Sequence, residues 1–158
     1  MRCGDTVIML TPGSANPIPH LWFVVTEPDA VTRECAVVSL TILRQDKDRT
    51  VVLAPADHSF INHPSVVHYS GALIVNADRL VALLLAGTIQ PSECCSPDVL
   101  KLVQQGINAS PFTPSKVIRL TPCPVCEFVR RRKPPKEHYP TGFPFLSWQR
   151  KLSVHTTL

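Results

Sequence analysis

Three histidines stand five residues apart in "ADHSFINHPSVVHYSG", residues 56–71: His58, His63 and His68, with Asp57, two aromatics and Pro64 among them. Imidazole titrates near neutrality, so such a cluster suits proton transfer, and it is also the commonest metal ligand. Zinc needs three or four ligands converging on one point. Five-residue spacing is not the i, i+4 of a zinc-binding helix, and strand alternation sends His63 and His68 to opposite faces. The reading that comes first is a crowded corner, with His58 bonded to turn backbone while Phe60 and Tyr69 cap the core. Shared proton transfer by His58 and His63, beside a further histidine, His20, comes second and a metal third.

Other residues with chemical potential are scattered. Thr41, with Ser39, is able to contact an anion, although alternating hydroxyls also suit a strand. Arg44, Lys47 and Arg49 make a basic patch, with Asp46 and Asp48 interleaved so that the turn tends to neutralise itself. Cys123-Pro-Val-Cys126 is half of a zinc ribbon whose other half is missing; Cys94, Cys95 or His138 complete it only by tertiary placement. No metal and no cofactor are expected.

Short strands must position these residues. Apolar, β-rich runs occur at 6–10, 20–27, 35–43, 50–55 and 65–75, and Gly71 marks a bend or bulge in the last. Residues 44–49 read as a charged hairpin tip, with 50–55 as the returning strand. Helical signals begin after Asp78: 78–87 is a short helix or an edge strand, and 96–106 is a helix capped by Ser96 and Pro97 and stopped by Gly106. Its expected apolar stripe is Val99, Leu100, Leu102 and Val103.

Sixteen prolines in 158 residues, about twice the usual share, argue against long helices. The net charge of +4 is unevenly spread. Residues 1–110 carry seven Lys/Arg against ten Asp/Glu; residues 111–158 carry nine against two. The basicity belongs to the tail, including "RRRKPPK" at 130–136, which is a solvated charge run or a source of nucleic-acid affinity. The expected division is a barrel domain at 1–110 and an irregular, Pro-rich basic extension at 111–158. The first residues do not read as a signal peptide and no apolar run is long enough to span a bilayer, so the expectation is a cytoplasmic protein with free thiols and no membrane partner.

The order of signals resembles the PemK/MazF toxin family. "GDTVIML" is similar to that family's opening Gly-Asp strand and "HLWFVVTEPD" to its second strand. "AVVSLT" stands for the strand ending in a functional Ser/Thr, "SVVHYSGALIVNADRL" for the penultimate strand, and "SPDVLKLV" for the start of the terminal helix. The likeness spans about residues 3–106 as a pattern of elements. It implies a mainly β, SH3-like barrel with a C-terminal helix, acting as an endoribonuclease that cleaves single-stranded RNA without a metal. It also implies a cognate antitoxin and a homodimer. Thr41 falls on the family's Ser/Thr position. Pro19-His20 stands where the family has an arginine before the second strand, which makes His20 the first catalytic candidate, with His58 and His63 as further ones and Arg44, Lys47 and Arg49 as RNA contacts. Its other reading is an ordinary histidine at a strand end. The rival from another class is a non-catalytic SH3-like binding module.

Overall fold

The computed structural model describes residues 1–10 and 18–121. Cys123, Cys126, His138 and the 130–136 charge run lie outside the described residues. Six strands form one antiparallel sheet that curls into a half-barrel: β1 (Thr6–Leu10), β2 (Pro19–Val24), β3 (Glu34–Ile42), β4 (Val52–Leu53), β5 (Ser65–Asn76) and β6 (Gln90–Pro91). Three helices accompany them: α1 (Ala77–Leu85), α2 (Pro97–Ala109) and α3 (Ser115–Leu120).

The near-continuous apolar runs have a simple cause: the sheet is buried on both faces, where alternation is not required. Leu21, Phe23, Ala36, Val38, Leu40, Val67 and Tyr69 face the larger cluster, which Val99, Val103 and Ile107 of α2 and Val117 of α3 complete. Trp22, Val24, Cys35 and Val37 face the opposite way and pack with Ala77 and Leu80 of α1.

The spatial strand order is β4-β5-β3-β2-β1-β6. Residues 44–49 are therefore not a hairpin tip. β4 pairs with β5, through Val52↔Val66 and Leu53↔Ser65, so the chain leaving β3 crosses to the far side of β5 before pairing. β6 is a two-residue edge strand against Val7 and Ile8, ending in Pro91, as suits an edge that donates no ladder bond. The β3–β5 ladder shifts register between Val37 and Ser39. Across that shift the His68 ring lies against Gly71, where an added Cβ would stand 2.6 Å from its Nδ1.

The 78–87 run is a helix as far as Leu85 rather than an edge strand, and the helix starts one residue earlier, capped by Asn76, whose side chain accepts from the N–H groups of Asp78 and Arg79. α2 begins as expected: Ser96 Oγ accepts from the Val99 N–H at 3.3 Å. Its end differs. The helix runs through Gly106 to Ala109, and Gly106 is where Tyr69 packs, with Tyr69 Oη donating to the Val103 carbonyl at 2.9 Å. The inward stripe is accordingly Val99, Val103, Gly106 and Ile107, with Leu102 turned outward. Residues 111–121, expected to be irregular, contain α3, and Val117 and Thr121 are buried.

Candidate functional site

The β2–β3 ladder ends at Trp22↔Ser39. Beyond that rung the two strands part, and the His20 imidazole takes over: Nδ1 donates to the Leu40 carbonyl at 2.8 Å. A carbonyl only accepts, so this bond fixes the proton on Nδ1 and leaves Nε2, which has no partner among the described residues.

A cavity of about 600 Å³ opens at the parted strands. Residues 18–21 of the β2 segment form one wall, Leu40–Ile42 and Arg44 another, and the turn 59–63 with Ser65 closes it. Three sequence candidates meet there from separate elements: His20 from β2, Thr41 from β3 and His63 from the turn before β5. Arg44 joins them from the crossing loop. Among the described residues no carboxylate lines the cavity, and the ionisable side chains that do are one guanidinium and two imidazoles. His63 Nδ1 donates to the side-chain oxygen of its neighbour Asn62, and Ser65 Oγ donates to the His63 carbonyl at 3.0 Å. The turn thus presents an oriented ring.

His58 does not join this group. Its side chain is 5% exposed and packs edge-on against Phe23, ring centroids 6.0 Å apart. Nε2 donates to the Glu93 carbonyl at 2.7 Å, and Nδ1 accepts the Phe60 N–H at 3.1 Å. Both nitrogens are engaged inside the fold, which leaves neither for a substrate proton. The same contacts hold the turn that carries Phe60, so His58 positions the cavity's wall from behind. The bond from the Phe60 N–H is the turn-backbone contact expected of His58, whereas Phe60, expected to cap the core, is 40% exposed.

Lys47 and Arg49 do not line the cavity, and neither they nor Arg44 form an ion pair among the described residues. Asp48 is directed elsewhere. Burial would raise its carboxyl, but hydrogen bonds from Ser110 and Thr50 outweigh that and hold it below its ordinary value.

His68 is half-buried on β5, opposite Ser39. Burial, then the charges of Lys47 and His20, push its imidazole below the usual histidine value. Among the described residues, no three His, Cys, Asp or Glu side chains converge in a way that would hold a metal ion, and no helix is long and apolar enough to cross a membrane.

Neither the protein-family models nor the sequences of curated proteins contain a match to this chain.

Proposed function

We propose that the protein is an endoribonuclease of the PemK/MazF toxin type, on an SH3-like barrel, that cleaves single-stranded RNA through the substrate's own 2′-OH. The observation that carries the reading is the meeting of His20, His63, Thr41 and Arg44 around one cavity that no carboxylate of the described residues lines. That route needs a base, an acid and stabilisation of a phosphorane. In the proposal His20 Nε2 takes the 2′ proton while the Leu40 carbonyl orients the ring. The 2′ oxygen bonds to phosphorus, the bond to the 5′ oxygen breaks, and protonated His63 delivers a proton to that leaving oxygen. Arg44 and the Thr41 hydroxyl face the charge that develops on the phosphoryl oxygens, where Arg44 does the work of the family's missing arginine. Products are a 2′,3′-cyclic phosphate and a 5′-hydroxyl end. Neither proton transfer requires an ion. A cognate antitoxin and a homodimeric working form belong to the same proposal and rest on the family resemblance.

The test is cleavage of a single-stranded RNA by wild type and two His20 variants. His20→Ala is expected to lose about 10²–10⁴-fold, the range for a general acid or base. His20→Asn is the sharper variant, because its amide still donates to the Leu40 carbonyl while lacking Nε2. It is expected to be equally inactive and normally folded. A second reading, a non-catalytic SH3-like binding module, is favoured by the exposed Ile18 and Ile42 at the cavity. RNA left intact by the wild type would select it, whereas full activity in His20→Asn would move the chemistry to other residues.

A further inference from the structure

Phosphate chemistry accounts for only part of the cavity. A volume of about 600 Å³ is of the size that holds a small organic ligand. The cavity also carries an apolar wall that neither a phosphate nor a ribose requires. Ile18, Ile42 and Phe60 line it while remaining 62%, 48% and 40% exposed. Phe60 is an aromatic side chain on a held backbone: its N–H is bonded to His58 Nδ1, and the His58 carbonyl accepts from the Ile61 N–H at 2.9 Å. A partly exposed ring on a held backbone is a stacking surface, part of whose ordering has already been met by folding.

The polar groups beside it are unbalanced. Asn62 Oδ1 is occupied by His63 Nδ1, which leaves the Asn62 amide nitrogen with two hydrogens to donate. Arg44 has only donors, and among the described residues no carboxylate lines the cavity to accept from it. A flat ligand presenting carbonyl oxygens fits that inventory.

From this wall and its donors we infer that the Phe60–Asn62 side of the cavity is a nucleobase subsite, in which one base stacks on Phe60 and a base carbonyl accepts from Asn62 Nδ2. Uracil and guanine carry such carbonyls on their pairing edges; adenine has none. His58 is the positioning residue of the subsite. The inference rests on the ribonuclease reading only in expecting a nucleotide as the ligand.

The experiment is therefore a binding one, independent of cleavage. Uridine 3′-monophosphate, adenosine 3′-monophosphate and ribose 5-phosphate are titrated into wild type, Phe60→Ala, Phe60→Tyr and Asn62→Asp, followed by NMR. Wild type is expected to bind the uridine nucleotide about 5- to 150-fold more tightly than ribose 5-phosphate, the effect of one stacked base. Phe60→Ala should lose that margin and Phe60→Tyr should keep it. Asn62→Asp still offers His63 an acceptor but replaces the donors with a carboxylate oxygen, so its preference for uridine over adenosine should disappear. Equal binding of the uridine nucleotide and ribose 5-phosphate, no binding at millimolar concentration, or an unchanged margin in Phe60→Ala overturns the subsite. A protein that binds uridine nucleotide through Phe60 yet leaves RNA intact retires the cleavage reading and keeps the subsite. One that cleaves RNA but shows no margin does the reverse.

Discussion

Replacing His58 separates a structural histidine from a catalytic one, because the two roles predict opposite measurements. His58→Ala removes an edge-on aromatic contact with Phe23, worth about 0.5–1.5 kcal/mol. It also removes two hydrogen bonds at about 0.5–1.5 kcal/mol each. The loss on the Glu93 side is the smaller, because that carbonyl still accepts from Thr6 Oγ1 at 2.6 Å. A void where a 5% exposed ring had been adds roughly 1 kcal/mol or more. The expected destabilisation is therefore about 3–4 kcal/mol, or on the order of 10–15 °C in Tm for a body of this size. His58→Asn, which keeps one donor, should recover about 1 kcal/mol of this. Thermal and urea unfolding measure the loss, and RNA cleavage well below the lowered Tm measures the activity. The rate at saturating RNA should stay within a few-fold of wild type, with any further loss falling on KM, because His58 positions the wall that carries Phe60 and moves no proton. A variant with an unchanged Tm that lost about a hundredfold or more in cleavage, the signature of a missing acid or base, would refute the reasoning and return His58 to the catalytic group.

Two further expectations are independent of function. Gly106→Ala should gain about 1 kcal/mol of helix propensity and lose more than that, because the new Cβ collides with Tyr69 Oη and stands 2.7 Å from Val51 Cγ2. Overpacking and a strained Tyr69–Val103 bond give a net loss of about 1–3 kcal/mol, read by urea unfolding; a net gain would show that α2 slides freely on Tyr69. His68, held below its ordinary 6.5 by burial and by Lys47 and His20, binds fewer protons folded than unfolded. Its contribution is thus complete above about pH 6.5 and lost as the pH falls through the lowered folded value. The urea midpoint of His68→Gln should decline less than that of wild type between about pH 7.5 and pH 5, and an identical decline would remove His68 from the account.

The mainly β character was legible in the sequence because short runs of branched and aromatic residues, broken by Pro and Gly, leave few alternatives. Local chemistry was legible for the same reason: Ser96, Pro97 and Asp98 set the start of α2 whatever surrounds it, since a cap bonds within its own turn. Gly106 shows where such reasoning stops. A glycine after an apolar stripe looks like a helix end, yet here its missing Cβ makes room for Tyr69, thirty-seven positions away in the chain.

Pairing was beyond the sequence. A charged loop between two apolar runs suits a hairpin, but β2 and β5 take both edges of β3 and leave β4 the outer edge of β5. The candidate site divides along the same line. The types of residue at 20, 41, 58 and 63 were legible because proton transfer restricts which side chains qualify. Which of them face one cavity depends on where the β2–β3 ladder ends and how the turn after Asp57 rotates the chain. His58 and His63 are five residues apart, yet one ring is sealed against Phe23 and the other opens on the cavity. Composition and spacing restrict which side chains can do chemistry; their direction comes from contacts distant in the chain, and only the packed fold fixes it.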